Sequence, residues 1–232
     1  MITLAIDSSS CAASCALMQN GRLMAASLLD VGLTHSQTLL PMIDAMLKGA
    51  TLSMEEIDVL AVAVGPGSFT GVRIGVATAK GLAFPHETRC MPVSTLLALA
   101  HSVEIPAEAT ICASLDARRG QVYAAIFHVK DGCVRRLTED IAASAEELVS
   151  RLNDCDTPVL LVGDGTPLLQ TLLPNQCATL NMVNNAVGIA RVAHALEMPS
   201  IHPDALQPIY LRLPQAERER LGREATPKGE HT

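Results

Sequence analysis

The sequence predicts an α/β protein of two related lobes, each a mixed sheet flanked by helices. Three observations carry this. The chain opens with short apolar runs joined by a hairpin turn, which starts a sheet. The apolar run Val59 to Val64 then delivers the backbone into a glycine-rich block, Gly65-Pro66-Gly67-Ser68-Phe69-Thr70-Gly71-Val72-Arg73-Ile74-Gly75, which opens a helix. The second half repeats the plan in weaker form, as expected of a duplicated lobe.

The elements follow in order. Ile2 to Ile6 is a strand ending at Asp7-Ser8-Ser9-Ser10, and Ala13 to Met18 is a second. Asn20-Gly21 separates it from Leu23 to Leu29, and that pair between apolar runs favours a type I′ hairpin. Thr34 to Lys48 reads as a helix with Leu39, Leu40, Ile43, Met46 and Leu47 on one side. Pro41 must sit in its first turns or kink it. Ser53 and Glu56 have capping-box spacing for a short helix. In the glycine block, Gly65-Pro66-Gly67 is a tight turn and Ser68 or Thr70 the helix cap. Gly71, Gly75, Ala79 and Ala83 then form a stripe nearly without side chains. A mid-helix glycine costs roughly 1 kcal/mol relative to alanine, so the stripe requires a closely packed partner, and it points to another helix rather than to a substrate.

In the second half, Thr110 to Leu115, Val122 to Val129, Cys133 to Leu137 and Val159 to Val162 are strands. Helices are expected at Ser144 to Leu152 (capped by Ser144), Pro167 to Leu173 and Asn185 to Leu196. The domain reading is residues 1–106 for the first lobe, 107–213 for the second, and a charged tail at 214–232 that is partly disordered after a short helix.

Composition narrows the function. The 232 residues carry a formal net charge of −7, no Trp and only five Phe plus Tyr. Tight, independent RNA binding normally uses basic clusters and aromatic platforms, so it is not expected. Nearly half the residues are apolar, yet no run reaches the ~18 needed to span a bilayer. The surplus fits either a well-filled core or an apolar face covered by another protein. The start lacks a basic n-region, so no signal peptide is expected. Seven scattered cysteines without a CxxC pair fit a reducing cytoplasm, and Cys11, Cys15, Cys90 and Cys112 read as small core residues. The histidines show no metal-ligand spacing; His101, His128 and His194 read as surface residues and His35 as a cap or contact. Gly65-Pro66-Gly67-Ser68-Phe69 lacks the GxSxG spacing of a nucleophile elbow, which counts against peptidase chemistry.

Three strand-end loops could still meet a ligand. Asp7-Ser8-Ser9-Ser10 has the residue types with which actin-like ATPases and sugar kinases hold a phosphate and Mg²⁺, or it is a turn closed by its own hydrogen bonds. Asp116-Ala117-Arg118-Arg119-Gly120 could bridge the lobes, meet a partner or solvate a turn. Gly163-Asp164-Gly165 could approach a nucleotide or form a plain left-handed turn.

Taken together, Ile6-Asp7-Ser8-Ser9, His35-Ser36-Gln37 with Leu40-Pro41, the glycine block and Lys80-Gly81-Leu82-Ala83 resemble the bacterial TsaB (YeaZ) family of tRNA modification. Asp116 to Tyr123 and Pro208-Ile209-Tyr210-Leu211-Arg212 extend the resemblance nearly to the tail. It implies the actin-like (ASKHA, ribonuclease H-like) fold and a role in forming N6-threonylcarbamoyladenosine (t6A) in tRNAs reading ANN codons. It also implies a catalytic paralogue, TsaD, whose metal-binding HxEGH follows a Pro-Val strand end. At the comparable place this chain has Thr95, Leu97 and Leu99, which cannot supply imidazole or carboxylate ligands.

The expectation is therefore a non-catalytic subunit with no metal and no intrinsic cofactor, ATP or ADP entering only with partner proteins. Asp7, Ser8, Ser9 and Ser10 would be a vestigial phosphate loop. Leu39, Met42, Ile43 and Met46 of the first helix, with Val72, Gly75, Val76 and Ala79 of the glycine-rich helix, are expected to form the partner face. The implied partners are the TsaD paralogue, the ATPase TsaE and, without TsaD, a second copy of the chain. tRNA would be met only through the complex, in the cytoplasm and away from membranes. The alternatives are a stand-alone ATP-dependent kinase or ATPase using Asp7 with Mg²⁺, and a chaperone-like or proteolytic regulator of the paralogue.

Overall fold

The computed structural model describes residues 1–104, 108–173, 177–180, 182, 184–196 and 199–212. β1 (Ile2–Asp7), β2 (Ala13–Gln19) and β3 (Arg22–Leu29) form an antiparallel meander, with Asn20 and Gly21 both left-handed at its first turn. α1 (His35–Ala50) follows, its first turn tied by the Thr34 N–H donating to Gln37 Oε1. Ser53 and Glu56 close a single 3₁₀ turn before β4 (Val59–Gly65). α2 (Phe69–Ala83) is capped by Ser68, whose hydroxyl accepts from the Gly71 N–H at 3.2 Å. β5 (Arg89–Ser94) completes a sheet in the order β3-β2-β1-β4-β5, with β4 parallel to β1 and β5 parallel to β4.

The second sheet runs β11-β10-β6-β7-β8, with β9 also on β7. It is built from β6 (Ala109–Asp116), β7 (Gln121–Lys130), β8 (Cys133–Arg136), β9 (Ile141–Ser144), β10 (Val159–Val162) and β11 (Cys177–Leu180). The remaining helices are α3 (Thr95–His101), α4 (Ala145–Asn153), α5 (Thr166–Gln170) and α6 (Ala186–Ala195). β5, α3, β9 and β11 had no element assigned from the sequence pattern, and α5 is shorter than expected.

Strand periodicity of two decides the layers. Leu4 and Ile6 of β1, with Leu60, Val62 and Val64 of β4, face α1 and α2. Ala5, Ala61 and Ala63 face the other way, into a cluster shared with α3, α6 and the second sheet through Ile111, Ala113 and Phe127. Small residues on that face let helices lie close, and at Gly188 an added Cβ would overlap the Ala98 carbonyl oxygen. α4 and α5 cover the far face of the second sheet. The layers are α1/α2, first sheet, α3/α6, second sheet, α4/α5.

This arrangement changes the sequence reading in four places. α6 and residues 199–212, assigned above to the second lobe, pack largely on the first: Ile201 bridges Cys90 at the free side of β5, and Leu206 joins the first lobe's core. Leu40 is 51% exposed, because the apolar stripe of α1 turns away from it, and Pro41 sits inside the helix on the solvent side. Cys11 is exposed, since it follows the β1 loop and precedes β2. His101 is half-buried at the end of α3 with Nε2 unpartnered, and burial pushes its pKa down. The expected tail helix lies outside the described residues. Among the described residues no helix is long and apolar enough to cross a membrane.

Candidate functional site

A cleft of about 420 Å³ opens between the two lobes where β1, β4 and β6 end. Its first wall is the loop after β1. Asp7 Oδ1 accepts from the Ser9 N–H (2.8 Å) and the Ser9 hydroxyl (2.6 Å), while Ser8 Oγ donates to the Gly71 carbonyl (2.8 Å). The Ser68 N–H donates to the Ser9 carbonyl at 2.7 Å. Asp7, Ser8 and Ser9 are each 1% exposed. Burial pushes the Asp7 carboxyl above its ordinary range, against the two Ser9 hydrogen bonds and the charge of His35.

The glycine stripe is explained here. A Cβ on Gly71 would overlap the Ser8 carbonyl oxygen, one on Gly67 the Ser9 carbonyl oxygen, and one on Gly75 would sit 2.5 Å from Ser8 Oγ. The closely packed partner of the stripe is thus this chain's own β1 loop. The expectation of a second helix there is corrected. So is most of the expected partner face: Leu39, Ile43, Met46, Val72, Val76 and Ala79 are at most 8% exposed inside the first lobe's core, and Gly75 is buried against Ser8. Only Met42 of the eight reaches partway to the surface. What α1 and α2 present outward is Leu40, Ala77 and, just past α2, Phe84.

The second wall is the turn after β6. Arg118, Arg119 and Gly120 are all left-handed, and the Arg118 N–H donates to Asp116 Oδ1 at 2.7 Å. Asp164 Oδ1 accepts from the Asp116 N–H at 2.9 Å, and burial pushes the Asp164 carboxyl up. Gly163 has φ +110, and its Cβ would overlap the Ser114 carbonyl oxygen. Gly163-Asp164-Gly165 is therefore drawn onto β6, which is the reason for its glycines. Asp116 and Asp164 are engaged with backbone N–H groups of their own wall and Asp7 Oδ1 with Ser9, whereas Asp7 Oδ2 is buried without a hydrogen-bond partner. Among the described residues no group of three or more His, Cys, Asp or Glu is placed to hold a metal. Cys11, at the rim, donates to Asp30 at 3.4 Å; burial and that carboxylate push its pKa up, away from a reactive thiolate.

Thr95, Leu97 and Leu99 lie on α3, at most 9% exposed between the sheets. His35 Nε2 meets the Ser10 carbonyl at 2.9 Å, fulfilling the contact role expected of it. Two features that join the lobes left no periodic signal. One is the segment Leu206 to Arg212 at the mouth of the cleft. The other lies outside the cleft: Ser94 Oγ donates to Asp140 Oδ2 (2.6 Å), and Arg136 reaches both residues while lying over the Phe127 ring.

Comparison with known proteins fits this geometry. A family model described as TsaD, tRNA N6-adenosine threonylcarbamoyltransferase, matches residues 30–202. The tRNA threonylcarbamoyladenosine biosynthesis protein TsaB of Bacillus subtilis is 30% identical over 224 residues, covering 94% of this chain and 96% of its own. The chain belongs to the TsaB family. The Escherichia coli TsaB protein is 36% identical over 167 residues, 71% of this chain and 72% of its own. Among solved structures, YeaZ from Pseudomonas aeruginosa superposes with a TM-score of 0.80 at 27% identity, covering 90% of this chain and 99% of that one. Component A of (R)-2-hydroxyglutaryl-CoA dehydratase from Acidaminococcus fermentans shares the fold alone, with a TM-score of 0.50 at 15% identity, 84% of this chain and 98% of that one. The TsaB fold here is thus the actin-like α/β architecture, and the match to the TsaD model is that of a paralogue.

Proposed function

We propose that this chain is a non-catalytic subunit required for t6A formation in tRNAs reading ANN codons, binding and supporting a TsaD paralogue. The observation that carries the reading is α3. Where the resemblance places the metal-binding residues of TsaD, this chain has Thr95, Leu97 and Leu99 enclosed between the two sheets. An alcohol and two alkyl groups in an apolar layer supply no ligands. Asp7 supports the same reading through its burial, because a carboxyl 1% exposed with Oδ1 taken up by Ser9 is poorly placed to hold a hydrated Mg²⁺.

The partner face is moved outward from the buried stripe to Leu40, Met42, Ala77 and Phe84 on the solvent side of the first lobe. Leu40 (51% exposed) and Phe84 (57% exposed) leave large apolar groups open to solvent there, which a docked partner would cover. The TsaD paralogue, or a second copy of the chain in its absence, docks there. TsaE joins that assembly, nucleotide enters only with the partner proteins, and tRNA is met through the complex in the cytoplasm.

Reconstitution tests this. With TsaD, TsaE, tRNA and threonylcarbamoyl-adenylate supplied, t6A forms only when this chain is added, and the chain alone forms none. Formation of t6A at an equal rate without it, or Asp7-dependent ATP turnover by the isolated chain, would overturn the proposal.

A further inference from the structure

The cleft is crossed at its mouth by the chain's own C-terminal segment. Leu206 is fully buried in the first lobe's core. Three residues on, the Ile209 N–H donates to the Val64 carbonyl at 2.7 Å. Gly65 accommodates the Ile209 carbonyl, which would lie 2.5 Å from any Cβ there. Tyr210 then stacks on Phe69, with centroids 4.6 Å apart, and its hydroxyl accepts from Arg73 Nε at 2.8 Å. Arg73 itself lies 4.1 Å over the Phe69 ring. Core burial, a backbone hydrogen bond and a stacked ring thus fix Leu206 to Tyr210 on the first lobe.

Arg212 leaves that lobe. Its Nη1 donates to the Ala117 carbonyl at 3.0 Å, on the opposite wall. That carbonyl belongs to a stiff turn: the Ala117 N–H donates to the Gln121 carbonyl, and three consecutive left-handed residues follow. A donor two residues beyond an anchor on one lobe therefore meets an acceptor held in a stiff turn on the other. We propose that Leu206–Arg212 is a strap that sets the separation of the two cleft walls, with the Arg212–Ala117 hydrogen bond as its latch. Anything entering the cleft fits beneath the strap or releases Arg212 first. The Ser94–Asp140–Arg136 tie joins the lobes at a separate place and leaves the mouth to the strap.

Hydrogen exchange of the full-length chain tests the latch. In Arg212→Ala, amides on both walls, Ser9 to Cys11 and Asp116 to Gln121, exchange roughly threefold to tenfold faster, the change one lost hydrogen bond implies. Amides of α4 and α5 keep the wild-type rate, and Arg212→Lys, which can still donate to a carbonyl, recovers most of the protection. Faster exchange in the Ala117 turn alone, or no change on either wall, overturns the proposal. If Arg212→Ala unfolds the chain as a whole, Tyr210→Phe decides. It keeps the stack, loosens the strap through Arg73 and speeds exchange on both walls if the strap sets their separation; unchanged rates on both walls overturn it.

Discussion

Two alanine substitutions in one helix separate the packing role of the glycine stripe from ordinary helix propensity. Gly71 and Gly81 both lie in α2, and neither needs a left-handed backbone. A Cβ at Gly81 meets nothing within 4 Å. Gly81→Ala should therefore stabilise the chain by about 0.5–1 kcal/mol through propensity and a less free unfolded state. At Gly71 the same Cβ overlaps the Ser8 carbonyl oxygen, and the Ser8 loop is fixed by its bond to the Gly71 carbonyl and by the Ser68–Ser9 bond. Overpacking costs about 1–3 kcal/mol, and a displaced Ser8 hydroxyl about 0.5–1.5 more. Against a propensity gain of at most about 1 kcal/mol, the net is a loss of roughly 0.5–3.5 kcal/mol. At about 2–4 °C per kcal/mol for a chain of this size, a 2 kcal/mol loss lowers the unfolding midpoint by about 4–8 °C. Urea and thermal unfolding of both variants measure this directly. If Gly71→Ala were as stable as Gly81→Ala, the stripe would not be packed against the β1 loop and the account of the glycine block would fail.

Val76 is 5% exposed, so Val76→Arg buries an unpaired charge in the first lobe and costs about 3–5 kcal/mol, visible as loss of folded protein by circular dichroism. Leu40→Arg, at a half-exposed site, leaves the unfolding midpoint near wild type but weakens co-purification with the TsaD paralogue. Because burial raises the folded-state pKa of Asp7, its neutral form contributes stability below the unfolded value near 3.8, and this is lost as pH rises through the folded value. Asp7→Asn should then gain on wild type as pH increases and lose that advantage in acid, read from unfolding midpoints across pH. Burial raises Cys15 to about 12 and Cys90 to about 11, so native alkylation at pH 8 should label exposed Cys133 first and leave both untouched, as peptide mass spectrometry will report.

Local signals served best where one segment determines its own structure. The hairpin at Asn20-Gly21, the Ser68 and Ser144 caps and the continuous apolar strands β1 and β4 are settled by neighbours in sequence. The stripe in α2 was legible as a demand for close packing, but its partner was not. Ser8 lies sixty-three residues from Gly71, and nothing local points to it. For the same reason the apolar face of α1 was read as a surplus available to a partner, when β2, β3 and α2 already cover it. α3 escaped because Thr95 to His101 is apolar all round: a helix between two sheets has no polar side and hence no amphipathic signature. The strap had no period at all, since Pro208 to Arg212 runs as irregular chain in which Ile209, Tyr210 and Arg212 are each held by a different distant contact.

The path of α6 bears on how the protein is made. The ribosome delivers β1 to β5 early, yet much of the face of that sheet lined by Ala5, Ala61 and Ala63 is covered by a helix that begins only at Ala186. Domains usually fold in the order they emerge. Here the first lobe must wait, with an apolar surface open, until nearly the whole chain has left the tunnel. A truncation before Ala186 would therefore strip the earliest strands of much of their cover while leaving the residues of β6 to β10 in the polypeptide.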